Sequence, residues 1–145
     1  MPQAISVSVA KVLVVNEKHE VLILTLGENE ERSDRSYSPD LPGGMVDPGE
    51  TELTAVAREL YEEAGIDADI ESFDLVYAKT EFYSKERKSI SKFLFLLIVP
   101  NTPEVTISRE HSEYKWVSAD ELISSVIFRP FYKEAIIYCL KHKLL

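Results

Sequence analysis

Residues 44–66 read GMVDPGETELTAVARELYEEAGI, and this stretch sets the tightest limits on what the chain can become. Within it Leu53, Val56, Ala57, Leu60 and Ala64 recur at three- and four-residue steps, the spacing of an apolar stripe on a helix over residues 50–64. Gly65 follows where a left-handed residue would end that helix. At about 100° per residue, Glu59, Glu62 and Glu63 span an arc of roughly 100° that adjoins the stripe. A helix with a buried side and an acidic side in contact must lie at the margin of a core, with its acids half out of water.

That arrangement is costly. Two like charges about 5 Å apart repel by about 3 kcal/mol at an effective dielectric constant of about 20. Glu62 and Glu63 also fall in the last turn, where the helix dipole disfavours anions. Arg58 can pair with Glu62 four residues on, which relieves only part of the repulsion. A bound cation would supply the rest. Carboxylate oxygens are hard donors suited to Mg²⁺ or Mn²⁺. Zinc would ask for His or Cys, but His19, His111 and His142 are scattered and Cys139 is the single cysteine. Because Mg²⁺ keeps several waters and reaches phosphate oxygens, the glutamate edge reads as a cation platform for a phosphate-bearing substrate. The competing reading is an ordinary solvated acidic face.

Charge narrows the partners. The formal net charge of -9 argues against an extended nucleic-acid partner, which would need a broad basic face. It leaves room for a small anionic ligand that arrives with a cation. The one cysteine rules out an intrachain disulfide and fits a reducing compartment. MPQAISVSVAK lacks the order of a secretion signal, and the longest apolar run, FLFLLIV at 93–99, is too short to span a bilayer. The expectation is a cytoplasmic protein without a membrane partner, built as one domain over residues 1–145.

Along the chain, ISVSVAKVLVV (5–15) and VLILTL (21–26) read as two strands that pair with each other. GENEERSDRSYS (27–38) reads as a mobile loop, and PDLPGGMVDPG (39–49) as tight turns around at most a short strand. Residues 70–83 and 89–99 form two strands joined by SKERKS, and EYKWV (113–117) a short one. Ser118 would cap a helix through ADELISS, and Pro130 would open a final helix over 130–143. The fold class expected is α/β (α+β): a mixed β-sheet with helices on both faces.

The spacing Gly44, Glu50, Arg58, Glu59, Leu60, Glu62, Glu63, Gly65, Ile66 resembles, without a gap, the signature of the Nudix hydrolase family, G-x5-E-x7-R-E-U-x-E-E-x-G-U with U a bulky aliphatic residue. The resemblance implies an α/β/α sandwich and an enzyme that hydrolyses a nucleoside diphosphate linked to another moiety. Water would attack a pyrophosphate phosphorus with the help of Mg²⁺ or Mn²⁺. Carried over by position, Glu59, Glu62 and Glu63 would be metal ligands, with the Gly43 carbonyl as a further one. Arg58 would orient a glutamate of the cluster, and Glu50 would buttress the loop. The base would be Glu59, Glu63 or Glu110, the last because some members place a ligand or base on the loop entering a late strand; Glu113 is its runner-up. Gly43 and Gly44 would let backbone approach metal or substrate without a Cβ in the way.

The substrate signals are thinner. The first expectation is a small nucleotide, a nucleoside triphosphate or a relative. The alternative is a dinucleoside polyphosphate, because Tyr83 lies 17 residues beyond Ile66, near where such members often carry a tyrosine. A nucleotide-sensing module that has lost its chemistry is the rival from another class. Lys79, Lys85, Arg87, Lys88 and Lys92 form a basic cluster that could guide polyphosphate, or else a solvated hairpin. Arg32, Arg35 and Tyr37 could close over a ligand, and Phe82 or Trp116 could stack on a base. Many family members are dimers, so a homodimer is an implied possibility.

Overall fold

The computed structural model describes residues 4–29 and 33–145. A seven-stranded mixed sheet forms its middle layer. The long strand β1 (Ile5–Val15) runs parallel to β6 (Lys88–Ile98), in register from Ile5↔Lys88 to Val15↔Ile98. On the outer side of β6 lies β5 (Asp74–Tyr83), its antiparallel hairpin partner. Residues 70–72, expected as strand, instead make a 3₁₀ turn before it.

The pairing expected between the first two strands is present only at their turn. β2 (Glu20–Leu26) meets β1 at Val15↔Val21 and then diverges. Its other edge pairs with β7 (His111–Ser118), a longer strand than the sequence indicated. Residues 39–45 fill the wedge between the diverging strands. β3 (Pro39–Asp40) takes the β2 side through Leu24↔Asp40, and β4 (Gly43–Met45) takes the β1 side through Lys11↔Gly43. A hairpin reading from local pattern cannot foresee this, because the wedge comes from a later segment.

The wholly apolar end of β1 is explained by burial on both faces. Leu13 and Val15 pack with Ala135, Ile136 and Cys139 of the last helix, α3 (Pro130–Lys141). Ala10, Val12 and Val14 pack with Val56, Leu60 and Ala64 of α1 (Glu52–Ala64). The short helix α2 (Ala119–Ser124) is capped by the Ser118 hydroxyl, which accepts from the Glu121 N–H, and lies on the α3 side. The result is helix, sheet, helix, as the pattern implied. Among the described residues no helix is long and apolar enough to cross a membrane.

Candidate active site

α1 begins at Thr51, whose side chain accepts a hydrogen bond from the Thr54 N–H, and ends at Gly65, with φ of 71°. These stops fix its rotation. The apolar stripe goes into the sheet, and the adjoining acidic edge passes over β4. At that contact the buried Glu63 accepts a hydrogen bond from the Gly43 N–H at 2.7 Å. Gly43 has no room for a side chain: with φ of +132°, an added Cβ would lie 2.1 Å from the Ala10 carbonyl oxygen. At Gly44 a Cβ would come 2.9 Å from Glu59 Oε1. Gly43 lets β4 lie against β1, and Gly44 lets Glu59 of the acidic helix edge lie against β4.

Arg58 organises the acids. Its Nε and Nη2 hold both oxygens of Glu50, at 2.7 and 2.9 Å, in a fork that favours guanidinium over ammonium. Its Nη1 donates to Glu59 Oε1 and Glu62 Oε2, each at 3.2 Å. Glu50 also accepts the Asp47 N–H at 2.9 Å, so the turn before α1 is tied to the acidic edge. These bonds, Arg58 foremost, hold the Glu50 carboxyl down at about 2. Burial acts the other way on its neighbours. It pushes the Glu63 carboxyl up to about 7, against the opposing Gly43 N–H and Lys11 charge, and raises Glu59 against the pull of Arg58.

Five groups that the sequence reading did not single out as part of a site join this one. The Lys11 ammonium donates to Asp40 Oδ2 at 3.2 Å and to the Leu41 and Gly43 carbonyls, each at 3.1 Å. Asp40 is buried. Burial alone would raise its carboxyl, but Lys11, Arg129 and the Tyr132 hydroxyl hold it below the ordinary value. His111 is buried beside the cluster, its Nε2 4.0 Å from Glu63 Oε2 and its Nδ1 3.3 Å from the Ser108 hydroxyl. Burial lowers its pKa and keeps the ring neutral at pH 7. Lys11 could have been noticed as the one charge inside an otherwise uncharged strand. Asp40, Arg129, Tyr132 and His111 carry no local signal, because only the fold brings them together.

The other expected residues divide. Glu110 is exposed on the turn entering β7, where its carbonyl accepts the Gly27 N–H at 2.8 Å, and its charge reaches Glu59. Glu113 sits exposed within β7 opposite Thr25. Tyr83 lies at the end of β5 on the wall of a cleft of about 700 Å³, which opens from Gly44 and Met45 across β1, β5 and β6 to the start of α3. Lys79, Lys88 and Lys92 line this cleft with Arg35 and Arg129, whereas Lys85 and Arg87 do not. Lys79 pairs with Glu134 at 3.2 Å and Lys92 with Glu81 at 3.0 Å. Trp116 is partly buried against the α1-side core, Phe82 and Tyr37 are exposed, and Arg32 lies outside the described residues.

The donor chemistry fits a hard divalent ion, since Glu59, Glu62, Glu63 and the Gly43 carbonyl all offer oxygen. Among the described residues, however, no three acid, imidazole or thiol side chains already converge on one point. Arg58 bonds Glu59 and Glu62, and Lys11 bonds the Gly43 carbonyl. Positive charge at the acidic edge is thus partly supplied from within.

The glycine turn thus lies between the acidic helix edge and a cleft lined by lysines and arginines. Residues 6–138 match the NUDIX domain, and the chain belongs to that family. Against the Sus scrofa bis(5'-nucleosyl)-tetraphosphatase [asymmetrical] it is 36% identical over 89 residues, 61% of this chain and 60% of that one. The chain therefore spans less than two thirds of the length of that relative. A MutT-like protein of Streptomyces ambofaciens is 31% identical over 124 residues, 83% of this chain and 69% of the relative. Among solved structures, the MutT protein of Methanosarcina mazei Go1 superposes with a TM-score of 0.79, 26% identity and 99% coverage of both chains.

Proposed function

We propose that this protein is a pyrophosphohydrolase that cleaves a nucleoside diphosphate linked to another group, with a nucleoside triphosphate or close relative as its substrate. The contact of Glu63 with Gly43 carries this reading, because it ties a buried acid to the residue before Gly44, which lines a cleft walled by cations. Glu59, Glu62, Glu63 and the Gly43 carbonyl would hold Mg²⁺ or Mn²⁺, which supplies charge against the phosphate oxygens and acidifies the attacking water. The chain's own groups do the rest. Arg58 keeps Glu59 and Glu62 oriented. Lysines and arginines of the cleft draw in the polyphosphate toward Gly44 on its wall. Water attacks phosphorus as the bond to the leaving phosphate breaks, and its proton passes to a carboxylate. The buried Glu63, Glu59 on the same helix edge and the exposed Glu110 are the candidates for that base.

Tyr83 on the cleft wall favours a second reading, hydrolysis of dinucleoside polyphosphates, which the pig relative's name also supports. Incubating the protein with Mg²⁺ and a nucleotide panel separates the readings by product. Release of pyrophosphate from a triphosphate supports the first, and ATP from diadenosine tetraphosphate supports the second. Nucleotide bound without turnover would identify a sensing module. Glu63→Gln should lower turnover at least about 10²-fold while circular dichroism stays unchanged; wild-type rates would mean the chemistry is elsewhere.

A further inference from the structure

Lys11 is committed to a degree unusual for lysine. Its ammonium has three N–H donors, and the structure gives it three acceptors: Asp40 Oδ2, the Leu41 carbonyl and the Gly43 carbonyl. Its side chain is only 11% exposed. The residue it holds through a carbonyl, Gly43, is the one whose N–H holds Glu63. One cation therefore touches a carbonyl expected to bind metal and lies in the electrostatic field of the buried glutamate. On the far side Arg58 does the same for Glu50, Glu59 and Glu62.

We propose that Lys11 is a resident counter-cation that makes divalent-ion binding at the glutamate edge depend on the phosphates of the substrate. The inference rests on that edge being the metal site. An ion arriving alone meets acids already faced by Arg58 and a carbonyl already faced by Lys11, and like charges at such range repel strongly in a half-buried site. An ion arriving with polyphosphate brings its own anions and further oxygen ligands. The metal and the nucleotide then load together, and the glutamates stay organised by Lys11 and Arg58 between turnovers. Lys11 acts on the reaction through Gly43 and Glu63, so it is a positioning residue.

The test is Mn²⁺ binding by the whole protein, followed by water-proton relaxation, alone and with a methylene-bridged ATP analogue whose own chelation is measured separately. Wild-type protein should bind Mn²⁺ at least about tenfold tighter with the analogue present. Lys11→Met should bind Mn²⁺ alone about tenfold tighter than wild type and lose most of the dependence on nucleotide, whereas Lys11→Arg should keep it. A purely structural role predicts the opposite sign, weaker Mn²⁺ binding in Lys11→Met. Asp40 retains the Tyr132 hydroxyl, the Leu41 N–H and Arg129 in that variant, which limits the damage to the fold. Equal or weaker Mn²⁺ binding by folded Lys11→Met overturns the inference. If that variant does not fold, wild-type Mn²⁺ affinity that ignores nucleotide still overturns it. Absence of Mn²⁺ binding under every condition would instead remove the metal reading itself.

Discussion

A single carboxyl, that of Glu63, ties the stability of this protein to the chemistry proposed for it. With its pKa at about 7 in the fold and an ordinary value of 4.5, the folded protein holds this proton more tightly than the unfolded chain does. As pH rises from about 4.5, the unfolded chain ionises first, so stability falls with rising pH until the folded group also titrates near 7. The fall amounts to at most about 3 kcal/mol, with Glu59 adding in the same sense. His111, kept neutral by burial, titrates the opposite way, so the difference between wild type and Glu63→Gln isolates the glutamate. Urea unfolding at a series of pH values, with EDTA present, should show the variant gaining on wild type as pH increases. Parallel curves would mean that Glu63 is solvated in solution. That gain would accompany the loss of turnover proposed for Glu63→Gln.

At the level of the element, α1 shows how much of the site was legible and why the rest was not. Its stripe, its stop at Gly65 and its acidic edge follow from local spacing, because a helix is governed by neighbours three and four residues away. Its start is just as local: Thr51 closes the first turn onto the Thr54 N–H. Thr51→Ala should therefore lower stability by about 1 kcal/mol in thermal or urea unfolding, with no change in pH dependence. What the helix edge touches could not be read. β4 reaches Glu63 only because β1 and β2 part after Val15↔Val21, and Asp40 meets Tyr132 across most of the chain. Contacts of that kind leave no period in the sequence. The basic hairpin was half legible: alternation along β5 and β6 sends Lys79, Lys88 and Lys92 toward the cleft and leaves Lys85 and Arg87 in the turn.

Across the whole molecule, charge is unevenly spread. A protein of net charge -9 gathers Lys11, Arg35, Lys79, Lys88, Lys92 and Arg129 around one concavity whose acids, among the described residues, are Asp40, Glu81 and Glu134. Such a field raises the local concentration of an anionic substrate and is weakened by salt. Lys88→Glu should raise KM for a polyphosphate nucleotide about tenfold at low ionic strength while leaving kcat within about twofold, and the difference should shrink as salt is added. A KM for Lys88→Glu that matched wild type at all salt concentrations would place the substrate elsewhere. The sheet has a consequence of a different kind. Because Ile5 lies opposite Lys88, β1 is synthesised well before the strand that completes it, and its hairpin with β2 offers a single rung in the meantime. Until the 88–98 segment is made, the valines and leucines of β1 lack the strand that covers this edge. Expression yield and chaperone dependence should accordingly respond more to changes in the 88–98 segment than to changes of equal size in α3.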